Sequence, residues 1–316
     1  MTRTEQFRNS LLARDTRLLD RIPPIVQWCR PVLAPRPGLS ADDLILPEEE
    51  EAGLRVITAA DIRGHRSIPT SGDPYPILSD GPAIWSGQAV ALLLSRDAYA
   101  LRRGIVDTGF RNPAGSVHSP GLQTEGSPEL VLEADIGTEP DAERAGEVEG
   151  TYRSGGQAPL YDDPPGALAS VTANGLRILV DGQWPQRTRR AVAGALGIRP
   201  EQVQTEGILA EPSMEAKFWQ SDLVAVWAAL AARATGLPSV CLPDQLEAFR
   251  LFGGRAAAET RVVTAVSESG EPIHSTVNMV LRCGAVRTFG EHAISRCRDM
   301  LAAGYRMGKI RLRISV

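Results

Sequence analysis

The chain has 316 residues, of which 43% are hydrophobic and 23% charged, and this is the composition of an ordinary globular protein long enough for two domains. The net charge of −4 argues against a nucleic-acid binder, which usually carries a basic stripe. No apolar run approaches the ~18 residues that span a bilayer, and the N-terminus lacks the apolar core of a signal peptide. We therefore expect a cytoplasmic protein without a membrane span.

The first third of the chain is rich in proline and glycine. Residues 21–38, "RIPPIVQWCRPVLAPRPG", predict short extended pieces at sheet edges and turns, because proline removes a ladder donor. A strand is predicted at Leu54–Ile57, followed by one turn of helix, and a buried strand at Gln88–Leu94. Asp97–Arg103 predicts a short helix that Gly104 stops.

Residues 119–149 are acidic and contain glycine and proline, with few aromatic side chains. This composition predicts an acidic surface linker with at most one short strand, at Leu130–Leu132. The linker is the expected boundary between two domains.

The second half of the chain shows clearer periodicity. Its predicted elements are strands at Leu176–Val180 and Val203–Leu209, helices at 186–197, Phe218–Ala232 and Glu291–Ala303, a hairpin over 259–284, and a strand at 309–316. The Phe218–Ala232 helix carries an apolar stripe. The 309–316 strand is expected either to pair inside its own domain or to dock on another polypeptide.

Short sequence motifs and the spacing of histidine and cysteine indicate no catalytic centre. The sequence has no GxGxxG motif opening a helix and no P-loop, HExxH or GxSxG motif. The histidines lie far apart, and the four scattered cysteines have no metal-ligand spacing, which predicts buried thiols in a reducing compartment and no iron–sulfur cluster or metal site on this chain. A binding or assembly role is favoured on this basis.

The order of several segments nevertheless resembles a family. "RVITAADIRG" (55–64) and "PILSDGPAIWSGQAVALLLSRDAYALRRG" (76–104) resemble the hammerhead domain of the molybdenum hydroxylases, the family of xanthine dehydrogenase, aldehyde oxidase and carbon monoxide dehydrogenase. "VEGTYRSGGQAPLYDDPPGALASV" (148–171), "LRILVDGQWPQRTRRAVAGALGIRPEQVQT" (176–205) and the segment 217–255 are similar to successive parts of that family's first cofactor-binding domain.

This resemblance implies an α+β fold with three parts. They are a hammerhead-like domain at 1–118, the acidic linker at 119–149, and a first molybdopterin-binding-type domain at 150–316. In the family the large subunit binds a molybdopterin–molybdenum cofactor and hydroxylates heterocycles or aldehydes with oxygen from water.

One glutamine matches the family directly. Gln183, in "DGQWPQR", falls where the family has a glutamine that donates a hydrogen bond to an oxo ligand of molybdenum. Its alternative interpretation is a polar residue at a strand end. The family's glycine-rich loop, GGGFGGK, corresponds to "EPSMEAK" at Glu211–Lys217, in which only Lys217 is retained. Because glycine is needed for close backbone approach, we expect this segment to be an ordinary helix entrance.

The resemblance implies three further candidate cofactor contacts, which rest only on their alignment with the family's loop: Met214, Lys217 and Phe218. Ser213 is the expected N-cap of the following helix, and Glu215 in its first turn would repel an anionic pterin phosphate. The family's histidine-containing "QEHAYLEPH" is "QAPLYDDPP" at 157–165. The family's catalytic glutamate lies in a C-terminal half that this sequence does not contain, so no catalytic residue is predicted.

Two functions follow as hypotheses. The first is a subunit of a multi-subunit molybdenum hydroxylase, with partners that are a C-terminal molybdopterin-domain chain, a [2Fe–2S] iron–sulfur chain and an FAD chain. In that case the cofactor is at most shared with a partner. The second is a cofactor-free degenerate paralogue that acts as a scaffold, assembly or dimerisation partner. Both predict little activity from the isolated chain.

Overall fold

The computed structural model describes residues 16–47, 53–111, 128–138, 141–158, 164–208, 217–289, 291–303 and 308–316. These residues form two compact units. The first is drawn from Met1–Pro69, Pro74–Leu122 and Pro159–Gly253, and the second from Thr70–Asp73, Gln123–Ala158 and Gly254–Val316. Mixed helices and strands confirm the predicted α+β class.

The helices are α1 (Thr16–Leu19), α2 (Ala98–Asp107), α3 (Pro185–Leu196), α4 (Trp219–Thr235), α5 (Gln245–Leu251) and α6 (Glu291–Ala303). The strands are β1 (Gln27–Leu33), β2 (Leu44–Ile45), β3 (Arg55–Thr58), β4 (Ser67–Ile68), β5 (Tyr75–Pro76), β6 (Ala89–Ser95), β7 (Gly109–Phe110), β8 (Leu130–Gly137), β9 (Gly146–Ser154), β10 (Ala167–Thr172), β11 (Gly175–Asp181), β12 (Val203–Ile208), β13 (Ser239–Cys241), β14 (Ala257–Val266), β15 (Pro272–Arg282) and β16 (Lys309–Ser315). No helix of the described ranges combines the length and hydrophobicity that crossing a membrane requires.

A seven-stranded sheet forms the first unit, in the order β12-β11-β10-β13-β1-β6-β3. Two of its ladders are parallel, β1 with β13 and β11 with β12, and the others are antiparallel. Strands from both predicted domains therefore share one sheet. The two units consequently do not follow the predicted boundaries at residues 118 and 150.

The predicted linker is wrong over much of its length. Strand β8 covers Leu130–Gly137, well beyond the expected Leu130–Leu132, and β9 begins at Gly146. Both belong to the five-stranded sheet of the second unit, whose order is β8-β16-β15-β14-β9. Strand β9 is exposed along almost its whole length, and Val148 and Tyr152 are its only large apolar side chains, so its sequence pattern is too weak to indicate a half-buried strand.

Strand β16 lies inside that sheet. It pairs in parallel with β15 and antiparallel with β8, so both of its edges are occupied within the unit. This settles the open alternative in favour of pairing inside its own domain. Its core-facing side chains, Ile310, Leu312 and Ile314, are buried and pack with Val277 and Ile294.

Helix α4 is the centre of the first unit. Every residue from Trp219 to Ala232 is buried, where the sequence indicated only an apolar stripe. The helix packs against α3 and against β10, β11, β13 and β1. Trp227, which is fully buried, donates its indole N–H to the carbonyl of Ile77 at 2.9 Å. A helix that is apolar on all sides is typical of such a core position.

Two predictions around α2 and β1 need correction. Helix α2 continues through Gly104 to Asp107, so this glycine does not end the helix. It serves close packing instead, because a Cβ at Gly104 would lie 2.7 Å from the side chain of Leu54. Strand β1 is a buried central strand despite Pro31. Its ladder with β13 ends at Cys29, so at Pro31 the strand has a neighbour on one side only, and the missing donor is tolerated.

All four cysteines lie in described ranges, and none forms a disulfide. Cys29 and Cys241 are buried opposite each other in the β1–β13 ladder. Cys283 and Cys297 are only partly buried. The predicted buried thiols are thus confirmed for the first pair and wrong for the second.

A buried ion pair reinforces the β1–β13 junction. Arg30 of β1 bonds both carboxylate oxygens of Glu247 in α5, Nε to Oε1 at 2.9 Å and Nη2 to Oε2 at 2.7 Å, and it also contacts the carboxylate of Asp244. Asp244 and Glu247 cap the helix reciprocally, since each accepts the backbone N–H of the other. Burial raises the pKa of Glu247, and the charge of Arg30 offsets part of that rise.

We predict that Arg30→Met destabilises the protein by about 3–5 kcal/mol, because it leaves the Glu247 carboxylate buried without its cation. Urea unfolding measures the loss. The matched control is Arg177→Met, which removes an exposed pair with Glu206 and is expected to leave the unfolding midpoint nearly unchanged. Equal losses in the two variants would contradict the role given to Arg30.

Candidate functional site

The candidate site lies at the carboxyl end of β11, where the chain turns into α3 and meets the first turn of α4. Gly182 follows β11 directly and packs on Ser221 of α4, and a Cβ at Gly182 would lie 2.9 Å from the Cβ of Ser221. The glycine therefore allows β11 and α4 to approach closely. We call the residues around this approach, 181–188 and 217–222, the β11–α4 corner.

A buried ion pair joins the two sides of the corner. The ammonium of Lys217 lies 2.5 Å from Oδ2 of Asp181, and the two side chains are only 4% and 5% exposed. Ser221 adds a hydrogen bond from its hydroxyl to the backbone carbonyl of Asp181, also at 2.5 Å. These contacts fix the start of α4 to the end of β11.

A second ionic contact joins α3 to α4. Asp222, which is 1% exposed, accepts hydrogen bonds from Nε of Arg187 and from the hydroxyl of Thr188, each at 2.6 Å. Burial raises the pKa of Asp222, and the charge of Arg187 and the bond from Thr188 offset part of the rise. Both cations of the corner, Lys217 and Arg187, are thus neutralised by carboxylates of the same chain.

Two amide side chains of the corner have buried atoms without a hydrogen-bond partner. Within the described part of the chain, the buried Nε2 donor of Gln183 has no acceptor and the buried Oε1 acceptor of Gln220 has no donor. An unsatisfied buried amide costs free energy, so native proteins rarely keep one without a reason. Gln183 in particular offers one neutral donor to a group from outside the described residues.

Aromatic side chains cover the outer side of the corner. The rings of Trp184 and Phe218 lie 5.2 Å apart and are tilted by 55°, and both are about half exposed. The guanidinium of Arg187 lies over the Trp184 ring, 4.9 Å from its centroid. This cover places an apolar surface next to Gln183 and Lys217.

The structure brings together three of the four predicted contact residues. Gln183, Lys217 and Phe218 all belong to the corner, whereas Met214, with Ser213 and Glu215, lies outside the described residues. The N-cap of α4 is Phe218 and not Ser213, because the helix begins at Trp219. No side chain caps this helix start.

The sequence interpretation missed Asp181, Arg187, Thr188 and Asp222. One signal for them was present: Asp222 is a lone carboxylate within an otherwise apolar helix, and such a charge is rarely buried without a partner. Among the described residues, no group of three or more His, Cys, Asp or Glu side chains is arranged to hold a metal ion.

The sequence profile of the molybdopterin cofactor-binding domain family matches residues 125–316, which is more than half of the chain. The chain belongs to this family. Among proteins with curated descriptions, none matches it.

Solved structures share the fold of this molybdopterin cofactor-binding domain protein. Aldehyde oxidoreductase from Desulfovibrio gigas has a TM-score of 0.74 and 20% identity, over 94% of this chain and 36% of that one. Quinoline 2-oxidoreductase from Pseudomonas putida 86 has a TM-score of 0.74 and 16% identity, over 100% of this chain and 43% of that one. Carbon monoxide dehydrogenase from Oligotropha carboxidovorans has a TM-score of 0.72 and 15% identity, over 100% of this chain and 43% of that one. The chain spans less than half the length of each of these enzymes.

The described residues of this family member fit only part of a molybdopterin cofactor. The unsatisfied Nε2 of Gln183 fits a neutral or oxo-type acceptor. An anionic phosphate fits poorly, because ion pairs within the chain already neutralise Lys217 and Arg187. The corner therefore suits a single hydrogen-bonded contact to the cofactor and not its whole binding site.

We predict that Lys217→Met and Asp181→Asn each destabilise the protein by about 3–5 kcal/mol, because each leaves the other charge buried and uncompensated. The double variant is expected to lose less than either single variant, and urea unfolding of all four proteins measures the coupling. Arg66→Met, which breaks an exposed pair with Asp80, is the control. Strictly additive losses would show that the two side chains do not stabilise each other.

We also predict that Asp222 makes stability fall as pH rises. Its raised pKa means that the folded protein holds this proton more tightly than the unfolded chain does. The contribution is therefore present below the unfolded pKa of about 4 and is lost as pH rises through the higher folded pKa. The unfolding free energy of the wild type relative to Asp222→Asn should decrease from about pH 3.5 upward. A difference that stays constant or increases would refute this assignment.

Proposed function

We propose that this protein is one component of a molybdenum hydroxylase-type oxidoreductase complex in which a partner chain holds most of the molybdopterin cofactor and carries the catalytic glutamate. Iron–sulfur and FAD chains are the proposed route for electrons. The family match and the fold support the class of enzyme. The self-neutralised charges of the β11–α4 corner support a cofactor that is held mainly elsewhere.

Gln183 carries the proposal. Its amide N–H donor is buried, has no acceptor among the described residues, and follows β11, where the family resemblance places a glutamine that donates to the cofactor. A donor that is unsatisfied in the separate chain gains its hydrogen bond when the acceptor arrives. Such a bond is favourable because the donor has already lost its water.

The other residues of the corner position this donor. The Lys217–Asp181 pair and the Ser221 hydroxyl hold the strand end against α4, and Gly182 lets the two approach. Trp184 and Phe218 add a half-exposed apolar surface beside this donor. When bound, the cofactor would supply two-electron oxidation of a substrate with oxygen from water. This chain would orient the cofactor through Gln183 and would not activate the water.

A cofactor-free scaffold is the second candidate. The observation that favours it is the same charge neutrality, because a corner whose cations are satisfied internally needs no anionic cofactor to be stable. In this case the protein would assist assembly or dimerisation of an active large subunit. A cytoplasmic location is part of both proposals.

Metal and pterin content of the purified complex tests the two candidates. We predict that molybdenum and pterin co-purify with the assembly, and that Gln183→Leu reduces molybdenum retention or changes the Mo(V) resonance signal. Because Nε2 of Gln183 has no partner among the described residues, the same change removes an unsatisfied donor and should leave the stability of the isolated chain equal to or slightly above that of the wild type.

Gln186→Leu is the matched control, since Gln186 is exposed on α3 three residues away. It should leave both the metal content and the resonance signal as in the wild type. An assembly without molybdenum, or a Gln183→Leu variant that matches the control in every measurement, would leave the scaffold as the supported function.

A further inference from the structure

Strand β9 is an open edge of the sheet in the second unit. Among the strands that the structure describes, β9 pairs only with β14, and all of its residues except Gly150 are exposed. Two large apolar side chains on one face of the strand, Val148 and Tyr152, are 62% and 65% exposed. An exposed edge of this length presents a row of backbone donors and acceptors that another strand can pair with.

The ladder shows which backbone groups point outward. Gln157 and Arg255 exchange both backbone hydrogen bonds, at 3.1 and 2.7 Å, in the same register that pairs Gly150 with Val262. Hydrogen-bonded positions alternate along an antiparallel ladder, so the odd-numbered residues of β9 bond to β14. The even-numbered residues Val148, Gly150 and Tyr152 therefore direct their N–H and C=O groups to the open edge.

The sequence of β9 is complementary to itself about Gly150. In an antiparallel arrangement centred on this glycine, Glu147 lies opposite Arg153 of the second strand, and Val148 lies opposite Tyr152. We propose that β9 pairs with β9 of a second copy of this chain across a two-fold axis at Gly150. The two five-stranded sheets then become one continuous sheet.

The open edge satisfies the geometric requirements of this pairing. The outward backbone N–H and C=O groups of Val148 would exchange hydrogen bonds with those of Tyr152 from the other copy. Those of Gly150 would exchange hydrogen bonds with Gly150 of the other copy. The ring of Tyr152 lies over Gly150, since its hydroxyl is 2.9 Å from the position that a Cβ of Gly150 would take. The ring thus covers the backbone at the axis, where no side chain from Gly150 interferes.

A second copy fits this edge better than other occupants. Charge complementarity places Glu147 against Arg153 twice in a symmetric pair, and the two-fold axis closes the assembly at two copies. Pairing of β9 with the other edge strand, β8, would be head-to-tail and would continue without closure. Within the chain Arg153 meets Glu259 and Glu147 meets Arg144, but these pairs are exposed and therefore weak.

Sedimentation velocity of the full 316-residue chain over a range of concentrations tests the proposal. The wild type is expected to be a dimer in equilibrium with monomer. Glu147→Arg places like charges opposite each other twice and should raise the dissociation constant about tenfold. The charge-swapped double variant, Glu147→Arg with Arg153→Glu, should recover most of the affinity. Glu268→Arg, in the exposed turn between β14 and β15, is the control and should behave as the wild type.

A crosslink tests the register independently of affinity. The double variant Glu147→Cys with Arg153→Cys places a thiol of one copy opposite a thiol of the other at two points, and mild oxidation should join position 147 to position 153 of the second copy, as peptide mass spectrometry would show. Glu268→Cys should give no such dimer. A wild type that stays monomeric at every concentration, a crosslink no stronger than that of the control, or a double variant that folds without regaining affinity overturns the proposal. A dimer that no β9 variant weakens also overturns it.

Discussion

The parallel pairing of β1 with β13 is the constraint on which the first unit depends. Only three residue pairs, from Gln27↔Ser239 to Cys29↔Cys241, join four strands on one side to three on the other. Arg30 strengthens this short ladder from the next position by bonding α5, the helix that follows β13. Arg30 bonds the carboxylates of Glu247 and Asp244, and these hydrogen bonds fix the orientation of α5 relative to β1 more specifically than apolar contacts would. Because β1 and β13 belong to the same sheet, the boundary of the first unit does not coincide with the acidic segment at 119–149.

The junction has consequences for the site. Helix α4 can be buried on all sides because the sheet beneath it is continuous, with β1, β13, β10 and β11 all in contact with it. Because residues Trp219–Ala232 of α4 are all buried, the start of the helix is held rigidly and fixes the positions of Ser221 and Asp222. The corner is therefore set by the core of the unit and not by a surface loop. Such rigidity would keep the donor proposed at Gln183 in one position.

Local signals in the sequence predicted most elements and missed most pairings. The helix predicted over 186–197 does end at Gly197, which closes α3 in a left-handed conformation, and helix α6 was predicted with its observed bounds. Strand β9 was missed because it has only two large apolar side chains and lies next to an acidic, glycine-containing segment, and the central position of β1 was obscured by Pro31. Gln183 and Lys217 were found as separate positions, but their shared corner depends on Asp181 and Asp222. Such contacts join segments distant along the chain, and periodicity contains no information about them.

The position of β16 between β15 and β8 also bears on how the second unit is made. Of the strands that the structure describes, β8 pairs only with β16, which follows it by more than half of the chain. During synthesis on the ribosome β8 must therefore remain unpaired, with Leu130, Val131 and Leu132 available to other strands, until β16 has emerged. Such a long-range parallel insertion is intrinsically slow. The acidic residues Glu133 and Asp135 within β8 would keep this waiting strand in solution, before they meet the arginines of β16.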